Sequence, residues 1–311
     1  MMAVKKKESS SDFPRPLDNP NLVGHDAAKS AFLDAWSRRD VRPIHPVWLL
    51  SGPRGIGKAT LAYDLARRIF SDLTGRAAED IAEQMSQGGL GDLFIVDLEH
   101  SLSPTKTIPV DAVRGMIARM QVSSMGESWR VAVIDSVDEL SRDTPNALLK
   151  ILEEPPSKTI FFLIAHSLDR ILPTIRSRSR IEKLRPLSGM ELREIAAKLL
   201  PGREIGDTLV KISGGSFGRV AGMISLGADA LFDDALRIIG DGASNSSDYL
   251  ALAKRIARSP ENMTILLDAI ARLGLAELYP SASRDIERMN SVNLEPELAA
   301  FKIITGIKKC I

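Results

Sequence analysis

This chain has only one cysteine, no long apolar run and almost no net charge. Its single cysteine, Cys310 of 311 residues, excludes an internal disulfide and a zinc site built from several cysteines. No apolar run approaches the roughly 18–20 residues of a membrane span, and the basic first residues have no apolar stretch behind them. We therefore expect a cytoplasmic protein without a membrane segment, and we assign no metal-binding residues.

The charges are nearly balanced, because 41 Lys and Arg residues offset 40 Asp and Glu residues. A chain this close to neutral gives no reason to expect a protein that coats nucleic acid, so any contact with DNA must be local. The 44% hydrophobic and 26% charged residues are typical of globular domains. The length predicts two or three of them.

Residues 1–20, rich in Lys, Ser and Pro, are predicted to form a disordered tail. The next part, assigned to 21–186, alternates strand-like apolar runs with helical segments, which is typical of an α/β domain with a parallel sheet. The predicted strands are Val47–Leu50, Leu93–Leu98, Arg130–Asp135 and Thr159–Ala165. A predicted helix at Asn146–Leu152 ends before Pro155.

After Pro186 the pattern becomes helical. Ser188 and Glu191 have the spacing of a capping box, which predicts a helix through Leu200. We divide this part into a small helical segment at 187–240 and an all-helical C-terminal domain at 241–311, with a boundary near 225–245 that is suggested by the polar stretch at 240–247. Apolar spacing of three and four predicts helices at Leu209–Ile212, Val220–Ile224, Leu231–Ile239, Tyr249–Ile256, Ile265–Leu273 and Leu298–Ile307.

Residues 52–60 read GPRGIGKAT, between a predicted strand and a predicted helix. In this G-x-x-x-x-G-K pattern the glycines allow backbone N–H groups to surround phosphate oxygens, and the lysine reaches the terminal phosphates. A chance glycine turn before a helix is the simpler alternative. We predict a nucleotide site that includes Gly52, Gly55, Gly57, Lys58 and Thr60.

Two groups that hydrolysis requires are missing from this pattern. Ala59 stands where a Ser or Thr hydroxyl would bind Mg²⁺, and Thr60 lies about 100° further around the helix. Asp135 ends a predicted strand where the acidic half of the site is expected, but Ser136 follows it in place of a water-orienting glutamate. We predict a degenerate site without turnover, which holds ATP or ADP unhydrolysed or stays empty.

The stretches SVDELSRDTPNALLKILEEPP at 136–156 and LPTIRSRSR at 172–180 resemble the AAA+ clamp-loader subunits of bacterial DNA polymerase III. The resemblance implies a AAA+ α/β domain, a lid and a C-terminal collar domain. In this family a Ser-Arg-Cys motif supplies an arginine finger to the ATP site of the neighbouring subunit. The matching residue here is Arg178, although a basic surface edge formed with Arg176 and Arg180 is the plainer alternative.

The resemblance also bears on three further segments. LVGHDAA at 22–28 matches a family segment near the nucleotide base, and the zinc-binding cysteines of many relatives are absent from 81–93. His166 falls near a position that senses phosphate, although an ordinary surface histidine fits equally well. Arg219 is displaced by one residue from the lid arginine of active relatives, which weakens any contact with nucleotide.

The function implied is that of a non-hydrolysing clamp-loader subunit that acts in DNA replication. Its partners would be motor subunits of gamma/tau type and a delta-type subunit, with the sliding clamp contacted indirectly and primed DNA met through the assembly. Such a subunit is part of the polymerase holoenzyme without being the polymerase. The alternative is an active AAA+ ATPase, either a motor subunit or a branch-migration helicase, and Ala59 and Ser136 count against it. A small-molecule P-loop kinase would leave the LEEPP and Ser-Arg-Ser segments without a role.

Overall fold

The computed structural model describes residues 13–98, 107–122, 128–141, 143–227, 246–258, 278–292 and 295–310, with isolated positions between 234 and 270. They form two compact units, Pro14–Leu187 and Ser188–Ile311 with Phe13. Residues 1–12 of the predicted tail lie outside the described residues, as does most of the predicted helices at Leu231–Ile239 and Ile265–Leu273 and of the boundary stretch at 240–247.

The first unit is built on a sheet of five parallel strands in the order β2-β3-β4-β1-β5. The parallel α/β fold and the four predicted strands are confirmed. The fifth strand was not predicted, because its sequence RIEK is short, polar and largely exposed at the sheet edge. The strands are β1 (Val47–Ser51), β2 (Leu93–Asp97), β3 (Arg130–Asp135), β4 (Thr159–Ala165) and β5 (Arg180–Lys183).

Helices cover both faces of this sheet. The interior strand β1 is buried along its whole length, with Trp48 and Leu50 in one apolar cluster and Val47 and Leu49 in the other. This alternation is the period-two geometry of a strand that is covered on both sides. The helices of this unit are α1 (Asp26–Ser37), α2 (Lys58–Thr74), α3 (Ala78–Ser86), α4 (Val110–Val122), α5 (Thr144–Glu153) and α6 (Pro173–Ser177).

Aromatic rings dominate the apolar cluster on the α1 and α2 side. The Phe32 ring lies 4.9 Å from that of Trp48 and 5.2 Å from that of Phe162, measured between centroids. Trp36 packs edge-on against Trp129 at 4.8 Å. These contacts fix α1 against the central strands and therefore place the chain segment that leads into α1.

The disordered tail predicted for residues 1–20 is wrong for its last part. Leu17 is buried in the same apolar cluster as Phe32, and the guanidinium of the buried Arg67 donates to the carbonyl oxygen of Asn19 at 2.9 Å. Burying one apolar side chain and satisfying one buried guanidinium fixes residues that the composition alone marks as disordered.

The second unit consists of helices, as predicted. The capping box at Ser188 and Glu191 is confirmed, with both reciprocal hydrogen bonds present. Among the residues that this structure describes, no helix is long and apolar enough to span a membrane. The division into lid and collar stays a prediction. The named helices are α7 (Gly189–Leu199), α8 (Asp207–Ser213), α9 (Phe217–Ser225), α10 (Ser246–Ile256), α11 (Tyr279–Val292) and α12 (Pro296–Cys310).

Candidate functional site

The predicted phosphate loop connects β1 to α2 at the carboxyl end of the sheet, which is where parallel α/β sheets bind ligands. Gly55 and Gly57 have positive φ angles of 77° and 100°, a conformation that glycine adopts without strain. Gly52 is required for a different reason. A Cβ at this position would lie 2.5 Å from the carbonyl oxygen of Leu184, just after β5.

The Lys58 ammonium is bound by the loop itself. Its Nζ donates to the carbonyl oxygens of Gly52 at 2.7 Å and Pro53 at 2.6 Å, and the residue is only 3% exposed. Burial lowers the pKa of Lys58 to about 8, against the opposing effect of the Asp135 and Asp138 carboxylates. To reach a phosphate, the ammonium would have to leave these two carbonyls.

Thr60 is on the first turn of α2 and is almost fully buried. Ala59 packs against the apolar cluster on the α1 side of the sheet and brings no oxygen to the loop. The structure thus retains the shape of a phosphate loop, with its glycine turn, the start of a helix and a lysine. These residues fit a phosphate group, whereas the position of the Mg²⁺-binding hydroxyl is held by a methyl group.

Asp135 ends β3 beside Asp97 of β2, its neighbour in the sheet register. Burial raises the pKa of Asp135 to about 6, Lys58 opposes this rise, and Asp97 and Glu139 add to it. Ser136 is fully buried. Its Oγ has no hydrogen-bond partner among the described residues. The predicted acidic residue, Asp135, therefore interacts electrostatically with the loop lysine. Position 136 has a serine and offers no carboxylate base.

Asp138 and Glu139 contact other side chains and backbone near the loop. Both carboxylate oxygens of Asp138 accept the backbone N–H of His166, at 3.0 and 3.1 Å. Glu139 forms an ion pair with Arg54 of the loop at 2.9 Å, and its Oε1 is 3.9 Å from His166 Nε2. Burial, followed by the charge of Lys58, lowers the pKa of His166. His166 is therefore a half-buried member of this cluster instead of an isolated surface histidine.

His25 is a further residue at the loop, whose contact the sequence pattern did not predict. Its Nε2 lies 2.7 Å from the carbonyl oxygen of Ile56, which requires a proton on Nε2, since a carbonyl only accepts. The backbone of His25 is left-handed, with φ of 63°, and the residue is the N-cap of α1. The LVGHDAA segment was the only available signal, and it suggested proximity to nucleotide without naming this contact.

Arg178 follows α6 and is held by its own chain. Its Nη2 forms an ion pair with Glu153 Oε1 at 2.7 Å, with side-chain exposures of 35% and 48%. Its Nη1 donates to the carbonyl oxygen of Thr174 at 3.0 Å. Glu153 is the first glutamate of the LEEPP segment, so the two stretches that carry the family resemblance meet at this pair.

The other two arginines of the alternating set have different surroundings. Arg176 is exposed on α6, whereas Arg180 starts β5, where its guanidinium lies 4.2 Å from the ring centre of Trp48. Arg219 lies on the first turn of α9, in the second unit. The described residues include no group of three His, Cys, Asp or Glu side chains that could hold a metal ion.

Most of the α/β unit is similar to a known protein family. Residues 37–188 match the family model described as DNA polymerase III, delta subunit. This match supports the DNA polymerase III clamp-loader family of AAA+ proteins for these residues. The match covers both stretches that carry the resemblance, the phosphate loop and Arg178.

Individual relatives are subunits of more than one type. The chain is 33% identical over 189 residues to DNA polymerase III subunit delta′ of Pseudomonas aeruginosa and 28% identical over 267 residues to subunit gamma of Buchnera aphidicola. It is 30% identical over 286 residues to subunit tau of Salmonella typhimurium. The matches cover 58%, 84% and 88% of this chain and 56%, 64% and 42% of those proteins, so the chain spans about half the length of these relatives.

Two solved structures from Thermotoga maritima are similar to the chain. The Holliday junction branch migration motor RuvB is 19% identical, with a TM-score of 0.46, over 91% of this chain and 87% of that chain. A DNA polymerase III gamma subunit-related protein is 14% identical, with a TM-score of 0.44, over 88% of this chain and 98% of that chain.

Proposed function

We propose that this chain is a delta′-type clamp-loader subunit, which does not hydrolyse ATP itself and donates Arg178 to the ATP site of a neighbouring subunit. The observation that carries the proposal is the methyl group of Ala59 at the Mg²⁺ position of an otherwise well-formed phosphate loop. Ser136 supports it, because a hydroxyl cannot act as the carboxylate base at that position.

The proposed role in trans rests on Arg178 and on the exposure of its side chain. A guanidinium placed across an interface stabilises the charge that develops on a transferred phosphoryl group, and such fingers contribute roughly 10³–10⁵ in rate. The partners proposed are motor subunits of gamma/tau type and a delta-type subunit, in the cytoplasm. The assembly would act on the sliding clamp and would enclose primed DNA through contacts to the DNA backbone. The contacts are then shared among several subunits, which suits the near-neutral charge of this single chain.

The test is ATP hydrolysis by a loader reconstituted from this chain and its partner subunits, stimulated by clamp and primed DNA. Arg178→Ala should remove the hydrolysis at one ATP site, and the matched control Arg176→Ala should leave it unchanged, because Arg176 is an exposed arginine on the short helix that ends just before Arg178. An unchanged rate with Arg178→Ala would refute the finger.

A motor subunit with its own ATPase activity is the second candidate. The similarity to gamma and tau subunits over 84% and 88% of this chain favours it, as do the lysine and acidic residue that remain in the loop region. Magnesium-dependent ATP hydrolysis by the purified chain alone, abolished by Lys58→Met, would establish this candidate in place of the first.

A further inference from the structure

The Glu153–Arg178 ion pair occupies the guanidinium that the proposed function assigns to a neighbouring ATP site. Nη2 contacts the carboxylate at 2.7 Å, and Nη1 donates to the carbonyl oxygen of Thr174 and, at 3.4 Å, to Ser177 Oγ. Both terminal nitrogens are thus directed to acceptors of the same chain. A finger that contacts a phosphate across an interface must give up at least part of this arrangement.

Among the acceptors of the Arg178 guanidinium, the Glu153 carboxylate is the one that gives up its contact. Glu153 is the last residue of α5, and its side chain is 48% exposed, so water can replace the guanidinium at modest cost. Exposed pairs of this kind contribute factors of about 1.4 to 5 to an equilibrium. The Thr174 carbonyl lies one turn before Arg178 and needs no rearrangement of another helix.

A terminal phosphate is the stronger acceptor in this competition. It has more negative charge than one carboxylate and can accept two parallel N–H donors from a guanidinium. The Glu153 carboxylate holds the guanidinium through one contact. ATP in the neighbouring subunit therefore displaces Glu153, whereas a diphosphate offers no terminal phosphate at that place.

We infer that Glu153 is a positioning residue, which holds Arg178 on its own chain until the terminal phosphate of ATP on a neighbouring subunit displaces it. This inference rests on the proposed function of Arg178. It makes the carboxylate a competitor in the ground state, so removing its charge strengthens ATP binding at the neighbouring site and leaves the chemical step unchanged.

The experiment compares reconstituted loaders that contain wild-type chain, Glu153→Gln, Glu154→Gln, Arg178→Ala or the double variant Glu153→Gln/Arg178→Ala. Glu154 is the matched control, because it is the adjacent exposed glutamate. The quantity measured is the ATP hydrolysis that Arg178→Ala removes, analysed for KM and kcat separately.

Glu153→Gln should lower the KM of this component two- to fivefold with kcat changed less than twofold, and Glu154→Gln should change neither. The double variant should equal Arg178→Ala. A KM that stays the same or rises in Glu153→Gln would overturn the inference while leaving the finger in place. If Arg178→Ala removes no hydrolysis, the proposed function fails, and the inference fails with it.

The pair itself is measurable in the isolated full-length chain. The nitrogen resonances of the Arg178 guanidinium, assigned by their loss in Arg178→Ala, should show restricted rotation in wild type and in Glu154→Gln. Glu153→Gln should free that rotation. Free rotation in the wild-type chain would also overturn the inference, whatever the hydrolysis data give.

Discussion

Replacing Lys58 with methionine should abolish a gain in stability that the wild-type Pro14–Leu187 unit shows above neutral pH. Burial, the main cause, lowers the pKa of this ammonium from 10.5 to about 8 in the folded chain, while an unfolded lysine titrates near 10.4. Between these values the unfolded chain binds more protons than the folded one. A rise in pH therefore stabilises the fold.

The size of this effect follows from the two pKa values. One pKa unit corresponds to about 1.4 kcal/mol, and the unfolded lysine keeps most of its proton up to about pH 9.5. The free energy of unfolding of the wild type should therefore rise by about 2 kcal/mol between pH 7 and pH 9.5 through Lys58 alone. In Lys58→Met the same increment should be absent, because methionine has a similar length and no titrating group.

Tryptophan fluorescence makes this measurable for one unit. The chain has three tryptophans, Trp36, Trp48 and Trp129, and all of them lie in the Pro14–Leu187 unit. Denaturant unfolding followed by their emission at several pH values gives the difference between wild type and variant. Lys150→Met, the same substitution at an exposed position of α5, is the control and should follow the wild type. Parallel pH curves for wild type and Lys58→Met would refute a buried, titrating ammonium.

Two further predictions concern the same loop and use the same fluorescence assay. Gly52→Ala should destabilise the unit by about 2–3 kcal/mol, because its Cβ would lie 2.5 Å from the Leu184 carbonyl oxygen. The control Gly91→Ala has open space around the new Cβ and should cost much less. Equal losses of stability in the two variants would contradict the steric explanation. Asp135→Asn removes a carboxyl group whose pKa burial raises to about 6 in the folded chain. Since the folded wild type binds more protons between pH 4 and 6, it loses stability as the pH rises through this window, and the variant should gain about 2 kcal/mol relative to it between pH 4 and 6.5; a constant difference would show that Asp135 does not titrate there.

Sequence patterns predicted the sheet well where strands are covered on both faces. Continuous apolar runs such as Thr159–Ala165 have few alternatives to a buried strand. The β5 edge strand escaped prediction, because RIEK has neither an apolar run nor a clear alternation. The helix α1 was also not predicted, because Phe32 can be recognised as a core residue only from its packing against Trp48 and Phe162.

The site was predictable in its composition but not in its contacts. The glycines and Lys58 follow from local spacing, because loop geometry depends on neighbouring residues. The contact between His25 and the Ile56 carbonyl joins residues 31 positions apart. The ion pair of Arg178 with Glu153 likewise depends on how α5 and α6 come together, which no local pattern encodes.

Because Leu184 lies so close to Gly52, the first glycine of the loop also determines how closely the end of β5 can approach the loop. The ladder between β1 and β5 pairs Trp48 with Arg180 at one end and Ser51 with Lys183 at the other, so β5 begins two residues after Arg178 and ends beside the phosphate loop. At about 3.3 Å per residue, this ladder spans roughly 10 Å between the segment that carries Arg178 and the phosphate loop. A bulkier residue at position 52 would displace the end of β5 even in a protein that never bound nucleotide. Gly52 thus has a mechanical role that does not depend on nucleotide binding or hydrolysis.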